Sequence, residues 1–246
     1  MKVLALNSSP KMEKGGTALV LNPFLEGLEE AGAEVELLYV HKLRIEPCLG
    51  DFACWFKTPG RCHQEDDMAW VLPKLEAADL LVFATPVFVD GMTSTMKRLI
   101  ERCLPLVQPF FEVREGHCRH PRRGGRKDQK AVLVSVCGFT ELDNFEPLLA
   151  HMEAICKNFG VEFAGALLRP YAAAFPRLKR LGLPVDEIFK AAREAGGQLA
   201  LEGRMREETL AEVSRKVLPR EEYLQGVNAY FQRMLARLEL EEEGRT

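Results

Sequence analysis

A polar loop near the amino terminus has the composition of a phosphate site. Asn7-Ser8-Ser9-Pro10 follows a short apolar run and precedes a segment of helical periodicity that begins near Gly15-Gly16-Thr17. Backbone N–H groups at a helix N-terminus carry partial positive charge, and serine and threonine hydroxyls add neutral donors. The loop lacks the Gly-Lys-Ser/Thr of a Walker loop and the G-x-G-x-x-G of a dinucleotide fingerprint. It therefore indicates either a phosphate site of another kind or an ordinary strand–helix turn.

A short stretch of the chain carries three of its seven cysteines, Cys48, Cys54 and Cys62, in the spacing C-x5-C-x7-C. Thiolates are ligands of iron–sulfur clusters and of zinc, but a [4Fe–4S] cluster usually takes four of them. His63 directly abuts Cys62, which is poor spacing for two zinc ligands. We therefore expect no bound metal, and free thiols or a redox-active pair of Cys54 and Cys62 stay open.

The elements that position these residues alternate between strand and helix. Short apolar runs predict five buried strands, at Lys2–Leu6, Glu34–Val40, Leu80–Ala84, Ala131–Cys137 and Glu162–Leu168. Periodicity and end signals predict helices from Thr17 to Gly32 and over Asp66–Ala77, Thr93–Val107 and Asn144–Phe159. Pro23 would either kink the first helix or lie in the first turn of a later helix capped by Asn22.

This order predicts an α/β fold with a doubly wound parallel sheet of five strands and helices on both faces. Right-handed crossovers leave few topologies, and five strands suit the flavodoxin-like order 2-1-3-4-5. Such sheets bind their ligand at the carboxyl ends of the strands, at a switch point in the strand order. The loop after the first strand therefore lies where a ligand is expected.

The rest of the chain predicts a helical extension. Helical periodicity marks Val185–Leu201, Glu207–Leu218 and a segment that Pro219 opens. The last segment carries an apolar stripe of Tyr223, Leu224, Val227, Tyr230, Phe231, Met234, Leu235 and Leu238. The stripe could pack on its own domain, form a dimer contact or cap a site. We predict a domain over residues 1–183 and an extension over 184–246.

The amino-acid composition excludes several classes of protein. The 246 residues are 47% hydrophobic and 28% charged, which excludes wholesale disorder, and the net charge of −3 gives no reason to expect a nucleic-acid partner. No window approaches about 18 consecutive apolar residues, so we expect no membrane association. The amino-terminal apolar run is too short for a signal peptide. We therefore expect reduced thiols and a cytoplasmic location.

Three motifs, in order, carry a family resemblance. The first is N-S-S-P-x(5)-G-T from Asn7 to Thr17. The second is Pro47-Cys48 with Cys54-Trp55 and the run from Lys57 to Cys62. The third is the segment from Ala84 to Lys97 (ATPVFVDGMTSTMK). Together they resemble the NADPH-dependent FMN reductase and iron–sulfur flavoprotein group of the flavodoxin-like superfamily. The resemblance covers roughly residues 1–170.

The resemblance implies an FMN site. Ser8, Ser9 and Thr17 would hold the FMN phosphate, and the segment from Pro86 to Gly91 would wrap the isoalloxazine ring. The contacts implied there are Pro86, Val87, Phe88, Val89 and Gly91. Simple core packing is the alternative for Pro86 to Val89. Cys137 and Gly138 would lie in a third ligand loop, although Cys137 could equally be a buried thiol at a strand end.

The resemblance also bears on the cysteine stretch. Iron–sulfur flavoproteins of this group use C-x2-C-x2-C followed by a fourth cysteine. Cys48 and Cys54 match the outer two of the first three, Cys62 matches the fourth, and Asp51 stands at the middle position. An aspartate ligand is uncommon, which weakens the expectation of a cluster.

The function implied is an FMN-dependent NAD(P)H oxidoreductase, an enzyme in which NAD(P)H is the co-substrate and no side chain need act as acid or base. The acceptor would be a quinone, flavin, nitro compound or redox protein, and a homodimer is expected by analogy. A non-enzymatic FMN electron carrier and an iron–sulfur flavoprotein with a cluster at Cys48, Cys54 and Cys62 are the alternatives. The basic insertion Arg114–Lys127 would be a solvated loop or a contact to NAD(P)H phosphates.

Overall fold

The computed structural model describes residues 1–124 and 128–243. Contacts group the chain into two compact units, Met1–Ser214 and Arg215–Thr246. The described part of the first unit holds seven strands: β1 (Lys2–Asn7), β2 (Glu34–Tyr39), β3 (Leu80–Pro86), β4 (Glu112–Arg114), β5 (His117–Arg119), β6 (Lys130–Val136) and β7 (Glu162–Arg169). Eight of its helices are α1 (Gly16–Glu30), α2 (Ala53–Phe56), α3 (Met68–Ala77), α4 (Ser94–Glu101), α5 (Glu146–Phe159), α6 (Phe175–Arg180), α7 (Asp186–Glu202) and α8 (Glu207–Ser214).

Five of the strands form one parallel sheet in the order β2-β1-β3-β6-β7. This order confirms the predicted 2-1-3-4-5, because β6 and β7 are the fourth and fifth strands of the main sheet. Asn7 aligns with Ala84, and Pro86 aligns with Val136. The register therefore brings the carboxyl ends of β1, β3 and β6 to the same edge of the sheet.

Alternating side chains of the strands feed two cores on opposite faces of the sheet. Val3 and Ala5 of β1 belong to the core under α1 and α7, whereas Leu4 and Leu6 belong to the core under α3, α4 and α5. The strands are apolar on both faces, as expected for a parallel sheet covered on both sides.

Helices α1 and α7 cross with their backbones in direct contact. A Cβ atom at Gly27 would lie 1.8 Å from the Arg193 carbonyl oxygen, and one at Gly196 would lie 2.1 Å from the Phe24 carbonyl oxygen. Only glycine permits this approach. The crossing places α7 within the first unit, so the structure groups the chain differently from the predicted division after residue 183.

Several predicted element boundaries are wrong. Helix α1 begins at Gly16 and runs through Pro23, so the start after Asn22 does not occur. The helix predicted over Thr93–Val107 ends at Glu101, and a 3₁₀ turn over Leu104–Leu106 follows because Pro105 cannot continue the α-helical hydrogen bonds.

Two further predicted segments differ from the structure. The helix predicted over Glu207–Leu218 ends at Ser214, whose hydroxyl donates a hydrogen bond to the Leu168 carbonyl at 2.9 Å. The basic insertion contains the antiparallel hairpin of β4 and β5. Glu115 and Gly116 make its two-residue turn with φ of 50° and 77°, which suits a type I′ hairpin. Arg126 and Lys127 lie outside the described residues.

The second unit contains one described helix, α9 (Arg220–Glu243). All eight residues of the predicted apolar stripe lie within it. Across residues 1–124 and 128–243, no helix combines the length and the apolar character that a membrane crossing needs.

Candidate functional site

The loop between β1 and α1 is fixed to the sheet edge by backbone hydrogen bonds. The Ser8 N–H donates to the Ala84 carbonyl at 2.9 Å, and the Ser9 N–H donates to Asn7 Oδ1 at 2.9 Å. Ser8, Ser9 and Thr17 are all buried. The three residues predicted to hold a phosphate therefore lie in one ordered loop that leads into the N-terminus of α1.

Two buried polar atoms of this loop have no hydrogen-bond partner within the described part of the chain. They are Nδ2 of Asn7 and Oγ1 of Thr17, in side chains that are each 1% exposed. A buried donor without a partner costs about 1–3 kcal/mol. Such groups in a native structure call for an explanation, and an acceptor oxygen of a bound ligand supplies one.

Two glycines permit the close packing of this loop. A Cβ atom at Gly15 would lie 2.6 Å from Ser9 Oγ, and one at Gly16 would lie 3.3 Å from the Ala172 Cβ. Larger residues would displace the Ser9 hydroxyl or push the start of α1 away from its neighbour. The loop therefore brings hydroxyl groups close to the backbone N–H groups at the start of α1, which are donors that suit a small anion.

Hydroxyl groups link the ends of the three central strands. The Thr93 hydroxyl donates to Ser8 Oγ at 2.8 Å, and the Thr93 N–H donates to Thr85 Oγ1 at 3.1 Å. Ser135 Oγ donates to the Thr85 carbonyl at 2.8 Å. Thr93 also caps α4, because its Oγ1 accepts from the Met96 N–H at 3.3 Å.

The segment after β3 forms a tight turn at the same sheet edge. Phe88 and Gly91 exchange backbone hydrogen bonds of 2.9 and 3.2 Å, and the residues between them, Val89 and Asp90, have φ of 47° and 61°. A β-branched residue with positive φ is a strained exception, which costs on the order of 1–3 kcal/mol. Strain of this kind is found where a loop is held for a ligand.

The turn presents apolar side chains outward. Val89 is 99% exposed and Phe88 is 51% exposed, whereas Pro86 and Val87 are half-buried. Core packing, the alternative considered for this segment, therefore accounts for Pro86 and Val87 but not for the two residues at the tip. An exposed Phe and Val at a ligand-binding edge suit the wall of a flat, apolar ligand.

The loop after β6 forms the third side of the candidate site, beside the loop after β1 and the turn after β3. The Cys137 thiol is buried and donates to the Phe139 carbonyl at 3.4 Å. Burial raises the pKa of the Cys137 thiol. Gly138 is exposed, with open space where a Cβ would be, and Phe139 is 65% exposed. Cys137 thus has the properties of the buried strand-end thiol that was the alternative prediction, while Gly138 and Phe139 face outward.

The structure brings the predicted residues of all three loops to one edge of the sheet, beside the switch point between β1 and β3. Sequence reasoning missed Asn7, Gly15 and Thr93. Asn7 could have been found, because it is the first polar residue after an apolar strand. The contact of Thr93 with Ser8 carries no local sequence signal.

The described part of the basic insertion lies at the opposite edge. Arg114 donates to the Lys157 carbonyl at 3.3 Å near the end of α5, and Arg122 donates to Gln129 Oε1 at 3.1 Å just before β6 begins. Both arginines are therefore close to the amino ends of the strands. This position favours the structural interpretation of the insertion over a contact to a ligand at the carboxyl edge.

The cysteine stretch surrounds a small cavity of its own. Cys48, Cys54 and Cys62 line it together with Asp51 and Arg102. Asp51 Oδ1 accepts from the Ala53 N–H at 3.0 Å, and its Oδ2 lies 3.7 Å from His63 Nε2.

Comparison with known proteins agrees with this geometry. Residues 1–117 match the model of the NADPH-dependent FMN reductase family. Over these residues the chain is similar to that family. The match includes the loop after β1, the cysteine stretch and the turn after β3, which are the three motifs that carried the resemblance.

Two relatives are iron–sulfur flavoproteins. One, from Methanocaldococcus jannaschii, is 33% identical over 43% of this chain and 53% of its own length. The other, from Archaeoglobus fulgidus, is 29% identical over 81% of this chain and 79% of its own length. The match with the first relative thus spans about half of that relative's length.

A solved structure with the same fold is the FMN-dependent NADH-azoreductase of Bacillus anthracis in complex with FMN. It is 15% identical, has a TM-score of 0.59, and the alignment covers 81% of this chain and 99% of that one. At this identity the likeness shows the fold, and it confirms the flavodoxin-like architecture.

The relatives' names raise the question whether this chain fits an iron–sulfur cluster. Such a cluster takes four thiolates, but the cysteine stretch offers three, and the Asp51 carboxylate is already paired with Ala53 and His63. Among residues 1–124 and 128–243, no group of three or more metal-binding side chains has the arrangement of a metal site. The cysteine stretch of this structure does not fit the cluster.

Proposed function

We propose that this protein is an FMN-dependent NAD(P)H oxidoreductase. The observation that carries the proposal is the pair of buried, unpartnered polar groups, Asn7 Nδ2 and Thr17 Oγ1, in the loop at the N-terminus of α1. The match of residues 1–117 to the model of the NADPH-dependent FMN reductase family supports the choice of ligand.

The phosphate of FMN would lie in the loop between β1 and α1. Ser8, Ser9 and Thr17 would donate hydroxyl hydrogens to it, and Asn7 would donate from its amide. The backbone N–H groups at the start of α1 add the partial positive charge that favours an anion. Gly15 supports this placement, because it permits the close approach of the Ser9 hydroxyl to the start of α1.

The flavin ring would lie between the turn after β3 and the loop after β6. Pro86, Val87, Phe88, Val89 and Gly91 would border one side, and Cys137 and Gly138 the other. When bound, FMN supplies hydride-accepting chemistry, and the protein supplies binding, orientation and electrostatics. The exposed Phe88, Val89 and Phe139 would exclude water from the ring.

The protein would use NADH or NADPH as its electron source and reduce a quinone, flavin, nitro compound or partner protein. No side chain is assigned as a catalytic acid or base. The homodimer implied by the resemblance stays a prediction, which sedimentation velocity of the purified protein would test. The role of the apolar stripe of α9 and the cytoplasmic location also stay predictions.

The test is an absorbance spectrum of the purified protein, followed by anaerobic titration with NADPH and with NADH. We expect a flavin spectrum, FMN as the extracted cofactor, and bleaching of the flavin band by at least one nicotinamide. A protein that carries no flavin and fails to bind added FMN would overturn the proposal. Bound FMN that neither nicotinamide bleaches would instead favour a non-enzymatic electron carrier.

A further inference from the structure

The cavity of the cysteine stretch contains an unusual combination of three thiols and one buried cation. Cys48 is exposed, Cys62 is half-buried and Cys54 is buried, and all three border the cavity with Arg102. Because these thiols do not fit an iron–sulfur cluster, their arrangement needs another explanation.

Cys62 stands apart from the other two through its hydrogen bonds. Its sulfur accepts from Arg102 Nη2 at 3.4 Å and from Gln64 Nε2 at 3.9 Å. Two N–H donors, one of them on a permanent cation, therefore contact the Cys62 sulfur at the edge of the cavity. Partial exposure in an electropositive environment is the typical setting of a reactive cysteine.

Arg102 is held in place beside Cys62. Its guanidinium binds Asp66 through two contacts, Nη1 to Oδ2 at 2.5 Å and Nη2 to Oδ1 at 3.1 Å, and Nη1 also donates to the Glu46 carbonyl at 2.7 Å. Both charged side chains are almost completely buried. The cation therefore cannot swing into solvent, and its position relative to the Cys62 sulfur is fixed.

Cys54 has the complementary character. Its thiol is buried, and burial, together with the negative charge that Cys62 and Cys48 could carry, raises its pKa. A turn returns the chain towards it, because the Gly60 N–H donates to the Cys54 carbonyl at 3.0 Å. Cys54 is therefore a buried thiol that lines the same cavity as Cys62.

We propose that Cys62 is a hydroperoxide-reactive thiol and that Cys54 resolves its oxidised form, so that the cysteine stretch is a reversible dithiol–disulfide site. In the first step the Cys62 sulfur attacks a peroxide oxygen. The S–O bond forms, the O–O bond breaks, and the leaving oxygen takes a proton and departs as water or an alcohol. Cys62 becomes a sulfenic acid.

In the second step the Cys54 sulfur attacks the Cys62 sulfur. The S–S bond forms, the S–O bond breaks, and the hydroxyl leaves with the Cys54 proton as water. Two thiols have lost two electrons in total, and the peroxide has gained them. This site does not depend on the proposed flavin function, because the oxidant is supplied from solution.

The test is treatment of the flavin-loaded or flavin-free protein with hydrogen peroxide, followed by alkylation and peptide mass spectrometry. We expect a Cys54–Cys62 disulfide in the wild type and none in Cys62→Ser. In Cys54→Ser a dimedone adduct should form on Cys62. The matched controls are Cys48→Ser and Cys118→Ser, which remove the exposed thiols and should leave the disulfide unchanged.

A second measurement compares alkylation rates without peroxide. Cys62 should react about tenfold faster than the more exposed Cys48, because the buried Arg102 cation contacts the Cys62 sulfur, whereas exposure alone would favour Cys48. The proposal would be overturned by oxidation in the order of exposure, with Cys48 and Cys118 first, or by a disulfide that joins Cys48 to Cys62. Iron and sulfide in anaerobically purified protein would also overturn it, since the thiols would then be cluster ligands.

Discussion

Thr93 donates a hydrogen bond from its hydroxyl to the Ser8 hydroxyl at 2.8 Å, across 85 residues of sequence. The bond joins the loop after β1 to the cap of α4, and Ser8 in turn bonds to the Ala84 carbonyl at 2.9 Å through its N–H. The orientation of the loop between β1 and α1 is thus set by Thr93, which itself lies outside that loop.

Thr93→Val removes this bond together with the cap of α4. We expect a loss of about 1 kcal/mol in the free energy of unfolding from the cap. We also expect about tenfold weaker FMN binding, because the Ser8 hydroxyl keeps only its bond to the Ala84 carbonyl at 3.3 Å and loses its donor from Thr93. Fluorescence titration of FMN with flavin-free protein measures the affinity. Thr93→Ser keeps the hydroxyl and should restore both values, and an unchanged affinity in Thr93→Val would contradict the positioning role.

Thr17→Val tests the phosphate site directly. The hydroxyl is buried without a partner, so its replacement by a methyl group should raise the melting temperature of the flavin-free protein. The same change removes a donor to the phosphate, and hydrogen bonds to charged groups contribute about 1.5–3 kcal/mol, so FMN should bind at least about tenfold more weakly.

Riboflavin is the matched control for Thr17→Val, because it lacks the phosphate. Its affinity should change little between wild type and variant. Equal losses for FMN and riboflavin would mean that Thr17 acts on the ring or on the fold rather than on the phosphate.

Gly196 and its neighbour Gly197 form a matched pair for the crossing of α1 and α7. In Gly196→Ala the new methyl group would meet the Phe24 carbonyl, so the helices must separate, and we expect a loss of about 2–3 kcal/mol. In Gly197→Ala the nearest atom is the Gly27 carbonyl oxygen at 3.8 Å, and higher helix propensity should stabilise the protein by about 0.8 kcal/mol. Urea unfolding distinguishes the two signs.

Asp66 gives the protein a dependence on acid pH. Burial alone would raise the pKa of this carboxyl, but hydrogen bonds from Arg102, Glu46 and Met68 outweigh burial and hold the pKa below its ordinary value. The stabilisation is therefore complete above the pKa of an unfolded aspartate, about 4, and is lost as the pH falls through the lower folded value.

Asp66→Asn should remove this dependence and, near neutral pH, cost about 3–5 kcal/mol because the Arg102 charge stays buried without its carboxylate. Thermal unfolding from pH 3 to pH 8 measures both effects. A variant whose melting temperature falls below about pH 4 as steeply as that of the wild type would assign the acid sensitivity to other carboxyls.

Val89→Gly relieves the strained turn after β3. Glycine adopts positive φ at no steric cost, so the flavin-free protein should gain about 1 kcal/mol after the entropy cost of glycine is subtracted. FMN should bind more weakly because an apolar contact is lost. Val113→Gly is the control, since Val113 is also exposed but lies in a strand without positive φ, and that change should destabilise slightly.

The strand order and the position of the loop after β1 at the carboxyl edge of the sheet could be predicted because they depend on local patterns. Apolar runs such as Leu80–Ala84 identify buried strands, and the right-handed crossover rule limits their order. The strand order then predicts that the loop Asn7 to Pro10 lies at the carboxyl edge of the sheet. These features follow from short-range sequence and general topology.

Other features depend on contacts between distant residues. The bond between Thr93 and Ser8 and the bond between Arg102 and Cys62 join segments that no periodicity relates. The close packing of α7 on α1 depends on distant residues in the same way, since Gly196 shows its role only once Phe24 lies against it. The hairpin of β4 and β5 was missed because its strands are three residues each.

The contact of Gly196 with Phe24 also determines when the protein can fold during synthesis. The match to the family model ends at residue 117. Helix α1, which follows the loop after β1, nevertheless remains partly uncovered until α7 has left the ribosome. A nascent chain stalled before residue 196 would expose the apolar face of α1 to chaperones and proteases. The cover of this face of α1 is therefore completed only in the last quarter of translation, when residues 186–202 have been made.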